Sequence, residues 1–427
     1  MQIHVVKSGD SIFTISQLYR IPPGILVQTN NILNPGNLVI GQTIVIPITG
    51  SYRFVQPGES LYSISKEYSI SAAELARING ISNPSIIYPG MRLYIPPKKK
   101  KVIEIGAYID PNITGSKSSE VADEAAKDLT YLQIFSYHVT PSGSLTPIDD
   151  TAIISAAYRH RTAPLMVITN FEEGTFKREL ATLILSSPEL QDKMLDEALA
   201  IMNKKGFMGL DFDFEYIGGE NRERYNQFLR KAKQRLSPKG YLLSTALAPK
   251  LSDDQVGILY EGHDYAAQGQ IVDFIFFMTY EWGWSGGPPR AVSPINEVKK
   301  VMDYALSKVP KDKIMMGIPL YGYDWTLPYV PGGKFARSIS SQQAILTAAK
   351  YGVPISYDSV SQSPFYNYTD EQGKKHEVWF DDARSIQAKF NLVKSLGIRG
   401  FFYWVLGRDF PQNWLLLEDN FTVKKIV

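Results

Sequence analysis

Three acidic residues at alternate positions, Asp211, Asp213 and Glu215, are the strongest chemical signal in the sequence. They belong to residues 209–215, whose apolar content is typical of a buried β-strand. Because alternate residues of a strand point to the same side, the three carboxylates share one face. Buried carboxylates in a line repel one another and lose hydration, so at least one pKa should rise. A carboxyl that stays protonated near neutral pH is suited to general acid catalysis.

The environment of this strand separates two interpretations of the acids. At a sheet edge, solvent would reach Asp211 or Asp213, and an ionised carboxylate there would need no chemical explanation. In a closed barrel both faces of a strand are covered, so the acids face the interior and the apolar residues meet the helices. Folding alone gives no reason to bury three carboxylates together, and we therefore expect a functional site.

Strand-like apolar runs alternate with helical patterns from residue 102 onward, which predicts an α/β fold. The candidate strands number eight: 103–109, 131–137, 165–170, 209–215, 242–247, 274–280, 314–320 and 400–406. Eight such strands predict a (β/α)8 TIM barrel with its site at the carboxyl ends of the strands. The long gap before the last strand predicts a small α+β insertion near residues 326–382, which we expect to form one wall of a groove.

An internal repeat precedes the predicted barrel. Segments 4–47 and 52–96 align without gaps at an offset of 49 residues. Each unit has the pattern strand, helix, helix, strand, which predicts two small βααβ domains at residues 2–48 and 51–97. The four lysines at 98–101 predict a solvated linker, with weak attraction to an anionic polymer as the alternative. Residues 102–427 then form the large domain.

Composition excludes several classes of function. The chain of 427 residues has no cysteine and its five histidines are scattered, so neither thiol chemistry nor a metal site is predicted. The formal net charge of +2 gives no bulk attraction to nucleic acid. The amino-terminal residues lack the pattern of a secretion signal, and no stretch is apolar for long enough to span a membrane. We expect a monomer that uses no cofactor.

The repeat resembles the LysM family. The matching segments are VVKSGDSIFTIS and GQTIVIP in the first unit, and FVQPGESLYSIS and GMRLYIP in the second. This resemblance implies binding of glycans that contain N-acetylglucosamine, such as peptidoglycan. The alternative is a small protein-interaction module.

The large domain resembles glycoside hydrolase family 18, the chitinase-like barrels, because GLDFDFE is similar to the family signature DxxDxDxE. Members cleave with retention of configuration, and the 2-acetamido oxygen of the sugar itself attacks the anomeric carbon. The resemblance implies that Glu215 is the acid and then the base, that Asp213 holds the acetamido N–H, and that Asp211 modulates Asp213. Met208 replaces the first acid of the signature, which implies a shortened proton store and an altered pH profile or rate.

Other predicted strand ends carry further residues of this resemblance. The segment MTYE is similar to the motif MxY[DE], which implies that Tyr280 orients the acetamido oxygen and that Met278 lines the substrate site. Trp404, in FFYW, matches the tryptophan beneath the reacting sugar. Core packing is the alternative for Tyr280 and Trp404. Four weaker candidates for substrate contact, for which core or loop packing is an equal alternative, are Tyr108, Asn170, Trp282 and Tyr321.

A narrower resemblance comes from the order of domains and from the segments QGQIVDFIFFMTYEWGWSGGPP and EVWFDDARSIQAKFNLVK. These features look like the spore cortex-lytic N-acetylglucosaminidases of spore-forming bacilli. They imply hydrolysis of cortex peptidoglycan after N-acetylglucosamine during germination, by an enzyme placed in the spore during its assembly. The alternatives are a chitinase and a catalytically silent glycan-binding spore-coat protein, the latter slightly favoured by Met208.

Overall fold

The computed structural model describes residues 1–97 and 99–427. It begins with two βααβ units, whose elements are β1 (Gln2–Val5), α1 (Ile12–Tyr19), α2 (Pro23–Thr29), β2 (Thr43–Ile46), β3 (Ser51–Phe54), α3 (Leu61–Tyr68), α4 (Ala72–Ile78) and β4 (Arg92–Ile95). In each unit the two strands pair antiparallel and the two helices cover them. We refer to these units below as the first and second repeat.

The two repeats have the same local structure because their capping residues recur. Ser11 and Ser60 each close a capping box at the start of the first helix, satisfying backbone N–H groups that the helix leaves free. Both helices end on a left-handed residue, Arg20 at φ 56° and Ser69 at φ 57°. The sequence repeat is therefore also a structural repeat.

The large domain contains the remaining helices and strands, which in chain order are β5 (Lys101–Ile109), α5 (Pro111–Thr114), α6 (Ser118–Ala126), β6 (Tyr131–His138), α7 (Thr151–Arg159), β7 (Ala163–Thr169), β8 (Phe171–Glu172), β9 (Thr175–Phe176), α8 (Arg178–Ser186), α9 (Pro188–Lys205), β10 (Gly209–Asp213), α10 (Arg222–Leu236), β11 (Leu242–Leu247), α11 (Tyr265–Ile271), β12 (Phe274–Phe277), α12 (Ile295–Lys308), β13 (Ile314–Pro319), β14 (Gly322–Leu327), β15 (Arg337–Ile339), α13 (Ser341–Tyr351), β16 (Ser356–Asp358), β17 (Ser363–Thr369), β18 (Lys375–Trp379), α14 (Ala383–Leu396), β19 (Gly400–Trp404), α15 (Pro411–Asn420) and β20 (Phe421–Val423). Within the described ranges, no helix is both long and apolar enough to cross a membrane.

Eight of these strands close into a parallel barrel in the order β5, β6, β7, β10, β11, β12, β13 and β19, with β19 pairing back onto β5. The predicted (β/α)8 fold is confirmed. The strand β20, which the sequence analysis did not predict, pairs with the start of β5. One apolar cluster fills the space between strands and helices, and a second, rich in aromatic rings, fills the barrel interior.

The strand that carries the three acids is fixed by its flanking residues. Helix α9 begins after Ser187, whose hydroxyl accepts from the N–H of Leu190, and it ends at Gly206 with φ 82°. A side chain at Gly209 would lie 2.8 Å from Leu165 and 2.9 Å from Leu242, on the two neighbouring strands. The start of β10 therefore needs glycine to fit between β7 and β11.

The insertion is an antiparallel sheet in the order β15, β14, β18, β17, β16, with α13 packed on it. Its first strand starts at Gly322, a few residues before the predicted start near 326. The sheet follows directly from barrel strand β13, so the insertion rises from the carboxyl end of the barrel.

Several predicted boundaries differ from the structure, three of them at the linker or near the site. Strand β5 already includes Lys101, because pairing with β20 extends it. The predicted linker 98–101 is therefore shorter at its carboxyl end, and Lys98 lies outside the described residues. Strand β10 ends at Asp213, and Glu215 stands in the loop beyond it. Strand β12 likewise ends at Phe277, so Tyr280 lies beyond the ladder.

Candidate active site

Asp211 lies inside the barrel and is fully buried. Its Oδ2 accepts a hydrogen bond of 2.6 Å from the hydroxyl of Tyr108, and its Oδ1 accepts one of 2.7 Å from the hydroxyl of Ser244. Burial raises the pKa of Asp211 to about 6, against the lowering effect of these two donors. Both Asp211 oxygens thus have donors within the protein.

Asp213 is the last residue of β10 and is also buried. Within the described part of the chain, its Oδ1 has no hydrogen-bond partner. Burial, followed by repulsion from Glu215 and Asp211, raises the pKa of Asp213 well above its usual range. A buried acceptor without a donor costs free energy, which a substrate N–H could recover.

Glu215 is held by its backbone. The Glu215 N–H donates to Asn170 Oδ1 at 3.0 Å, and Asn170 Nδ2 donates to the Glu215 carbonyl at 2.9 Å. Burial, followed by repulsion from Glu281, raises the pKa of Glu215 to about 8, although part of the residue still reaches solvent. The raised pKa favours the protonated form of this carboxyl, and its partial exposure leaves it accessible to a substrate.

Met278 and Tyr280 face the barrel interior, where both belong to the aromatic-rich cluster. The Tyr280 ring packs edge-on against Phe402 at 6.3 Å between centroids. Burial, followed by the charges of Asp213 and Glu215, raises the pKa of the Tyr280 hydroxyl well above its usual range. A phenol that stays protonated beside the acids can donate a hydrogen bond to a substrate oxygen.

Trp404 and Tyr108 form the base of this region. Trp404 ends β19 and is half-buried, and its ring meets Tyr108 at 5.5 Å and Phe135 at 5.0 Å, both edge-on. These contacts fix the orientation of the indole beside Tyr108, which in turn binds Asp211. The structure thus brings Tyr108, Trp404 and the acids together.

A second glutamate, Glu281, was not singled out as a site candidate in the sequence analysis. The hydroxyls of Tyr321 and Tyr323 both donate to Glu281 Oε1, the second at 2.9 Å. Burial raises the pKa of Glu281, against the lowering effect of these donors. The sequence signal for Glu281 was its match to the last position of the motif MxY[DE], directly after Tyr280.

Two predicted contact residues have other partners. The side-chain amide of Asn170 hydrogen-bonds to the backbone of Glu215 and to the Lys177 carbonyl, so its role in the structure is to position Glu215. Trp282 packs against the outer apolar cluster, away from the interior cluster of Tyr280. The reason is that Glu281 adopts φ 67°, which breaks the alternation that would have aligned 280 with 282.

Another aromatic pair lies close to the loop that contains Trp282. Trp284 is 47% exposed and Phe335, from the insertion, is 63% exposed. Their rings meet edge-on at 6.2 Å. The loop and the insertion are joined by a bond of 2.8 Å from Trp325 Nε1 to the Gly287 carbonyl. Sequence reasoning missed this pair because only the tertiary contact distinguishes it from other loop aromatics.

Met208 lies at the opposite end of the strand from Asp213 and Glu215. It precedes β10, whereas Asp213 ends it, and five residues at about 3.3 Å each separate them by about 16 Å. A proton store for Asp213 at position 208 is too distant, so the expectation of an altered pH profile from Met208 has no support in the geometry. In the described ranges, no group of three His, Cys, Asp or Glu side chains is placed to hold a metal ion.

These features define a class: a (β/α)8 barrel with buried acidic side chains at the carboxyl end of its strands, one of which, Asp213, has an oxygen without a donor among the described residues. The family model for glycosyl hydrolases family 18 matches residues 175–409, and the LysM domain model matches residues 4–47 and 55–96. The chain belongs to glycosyl hydrolases family 18 and carries two LysM domains, so it is a glycoside hydrolase and both resemblances are confirmed.

Several relatives align with the chain over nearly its full length and theirs. The chain is 53% identical to the cortical fragment-lytic enzyme of Bacillus subtilis (strain 168), over 100% of this chain and 99% of the relative. The crystal structure of the spore cortex-lytic enzyme SleL of Bacillus megaterium QM B1551 matches with a TM-score of 0.92 at 45% identity, covering 100% of this chain and 99% of that one. SleL of Bacillus cereus matches with a TM-score of 0.89 at 46% identity, covering 99% and 98%.

Proposed function

We propose that this protein is a retaining N-acetylglucosaminidase that hydrolyses spore cortex peptidoglycan, or fragments of it, after N-acetylglucosamine. The observation that carries the proposal is the pair formed by Glu215, whose pKa burial raises to about 8, and Asp213, whose Oδ1 is buried without a donor among the described residues. The names of the full-length relatives support the substrate and a place in the spore.

In the first step, the Glu215 carboxyl gives its proton to the glycosidic oxygen as the bond from that oxygen to the anomeric carbon breaks. The carbonyl oxygen of the 2-acetamido group forms the new bond to the anomeric carbon, giving an oxazolinium ion. Asp213 accepts the acetamido N–H and stabilises the positive charge, and Tyr280 donates to the acetamido oxygen to orient it. Glu215 is left as a carboxylate, and Asp211, whose two oxygens accept from Tyr108 and Ser244, lies behind Asp213 and modulates it.

In the second step, the Glu215 carboxylate takes a proton from water, and the water oxygen attacks the anomeric carbon. The oxazolinium ring opens, the acetamido group is restored, and the configuration is retained. Because this route needs an acetamido group on the sugar that is cleaved, it favours N-acetylglucosamine over muramic lactam, which lacks a free one.

The test is mass spectrometry of products from solubilised spore-cortex fragments and, in parallel, from chitin oligomers. The wild type should release saccharides with a new reducing N-acetylglucosamine end, and Glu215→Gln should release none. Glu179→Gln, an exposed change on helix α8, is the matched control and should behave as wild type. Products from chitin but none from cortex fragments would favour the chitinase, and full activity of Glu215→Gln would refute its role as acid.

A further inference from the structure

The two repeats are internally equivalent but have different surroundings. In the first, Asn30 Nδ2 donates to the Leu26 and Val45 carbonyls at 3.0 and 2.8 Å. In the second, Asn79 makes the same bonds to the Leu75 and Tyr94 carbonyls at 2.9 and 2.8 Å. The loops that follow these asparagines, residues 30–42 and 79–91, are thus anchored in the same way, and differences between them come from what each one meets.

The loop 30–42 of the first repeat is docked on the large domain. Val39 is 6% exposed because it joins the apolar cluster of the insertion. The Ile355 N–H donates to the Ile40 carbonyl at 2.8 Å, and Arg384 Nη2 donates to the Gly41 carbonyl at 3.1 Å. A side chain on Gly41 would lie 1.9 Å from the Ile355 carbonyl oxygen, so the backbones are in close contact.

A buried amide strengthens this junction. Gln412, on helix α15, donates from Nε2 to the Thr43 carbonyl at 2.6 Å and to Asn30 Oδ1 at 3.1 Å. Val45, on β2, belongs to the main apolar cluster of the barrel. The first repeat therefore packs as part of the large domain, rather than as a separate domain on a flexible linker.

The equivalent loop of the second repeat has an open surface. Tyr88, which corresponds to Val39, is 65% exposed, and Ile86 is 46% exposed. A side chain on Gly90, which corresponds to Gly41, would meet no atom within 4 Å. Hydrogen bonds join this repeat to the first one, as from the Tyr52 N–H to Gln2 Oε1 at 2.8 Å.

We propose that the repeats have divided their tasks: the loop 79–91 binds the N-acetylglucosamine-containing glycan, while the loop 30–42 fixes the pair to the catalytic domain. The occupant follows from the LysM match, which indicates glycan binding, and from the exposed Tyr88 ring, whose face suits the apolar face of a sugar. The proposal rests on the proposed function only in taking that glycan as the target. The loop that binds the wall is thus held in a defined place relative to the groove.

The test is co-sedimentation of the full chain with insoluble spore-cortex peptidoglycan, in a Glu215→Gln background so that no substrate is consumed. Tyr88→Ala and Ile86→Ser should each weaken binding, Tyr88→Ala by about tenfold as for an aromatic at the centre of an interface. Neither should lower the melting temperature, because both side chains are exposed.

The loop of the first repeat is tested with Val39→Ala, at the position that corresponds to Tyr88, and with Ile40→Ser, at an exposed apolar side chain of that loop. Val39→Ala should lower the melting temperature, since it removes contact with the insertion, and should leave sedimentation of the folded protein unchanged. Ile40→Ser replaces a side chain that is 49% exposed, so it tests the loop surface without unfolding the junction.

Equal weakening from changes in both loops, or no weakening from Tyr88→Ala and Ile86→Ser, would overturn the division of tasks. The product assay on soluble fragments is independent of this result. Weakened sedimentation without products would leave the loop assignment standing and refute the proposed hydrolysis, and products without an effect of Tyr88→Ala would do the reverse.

Discussion

Both ends of the barrel bury carboxyl groups, but only the amino-terminal end pairs its carboxylate with cations. At the amino-terminal end of the strands, Glu104 is 6% exposed and accepts from Tyr131 at 2.7 Å, Arg399 at 2.5 Å and Lys424 at 2.7 Å. Burial alone would raise the pKa of Glu104, but Lys424, Arg399 and Tyr131 outweigh it and lower the pKa. Glu104 is therefore ionised and paired.

At the carboxyl-terminal end, no cation offsets the acids in the contacts described above. Burial raises the pKa values of Asp211, Asp213 and Glu215. Repulsion from Glu215 and Asp211 raises the pKa of Asp213 further, and repulsion from Glu281 raises that of Glu215. The paired end ties β5, β19 and the chain end beyond β20 together, whereas the unpaired end keeps a proton available for chemistry. The comparison teaches that burial of a carboxylate by itself does not identify a site; the absence of compensating partners does.

The largest expected effect is on stability at the paired end. Glu104→Gln should lower the free energy of unfolding by about 3 kcal/mol, because Arg399 would keep its charge without a buried partner. Urea denaturation at pH 7 measures it, with the exposed change Glu120→Gln as control, expected within about 0.5 kcal/mol of wild type. A Glu104→Gln protein as stable as the control would mean that the ion cluster contributes nothing net.

The second expected effect is a loss of activity without a loss of stability, at the unpaired end of the barrel. Asp213→Asn should lower kcat on soluble cortex fragments by about 100-fold, because a carboxamide cannot stabilise the positive charge of the oxazolinium ion. Its unfolding free energy should equal or exceed that of wild type, since a repelling buried carboxyl is removed. Asp303→Asn, on the outer face of helix α12, is the control. Lost stability with retained kcat would break the comparison.

The pH dependence should differ in sign between the two ends. The pKa of Glu215 is about 8, so kcat/KM should fall about tenfold per pH unit above that value as the acid loses its proton. Since this folded-state pKa lies above the usual value of 4.5, the stability that it contributes is present below about pH 4.5 and is lost as pH rises towards 8.

Glu104, with a lowered pKa, contributes stability above its usual value, and that contribution is lost as pH falls. Thermal unfolding from pH 4 to 9, for wild type beside Glu215→Gln and Glu104→Gln, measures both trends. Wild type should lose stability relative to Glu215→Gln as pH rises, and relative to Glu104→Gln as pH falls. Parallel curves for all three proteins would contradict the assignment.

The smallest effect is expected at Met208. Restoring the first acid of the family signature with Met208→Asp should change kcat by less than about twofold at each pH, because about 16 Å separates this position from Asp213. Steady-state kinetics across the pH range checks this expectation. A shift of the profile by a full unit would show that the two ends of the barrel are electrostatically coupled.

Much of the fold was predictable because it depends on local periodicity. Alternation over residues 209–215 placed the three acids on the inner face, and the repeat offset of 49 residues indicated two equal units. Strand ends were predicted less well. The chain leaves the ladder after Asp213 and after Phe277, and ladder pairing depends on neighbouring strands that a local pattern does not contain.

The sequence by itself determined which residue types face the barrel interior, and it indicated Asp211, Asp213, Glu215, Tyr280 and Trp404 as the centre of the proposed site. Only the tertiary structure decided the partners of each group. The donors to Glu281, the clamp of Asn170 on Glu215 and the docking of the first repeat on the insertion all join residues far apart in the chain. Hydrogen-bond partners and pKa values depend on these long-range contacts, which exist only once the barrel has closed.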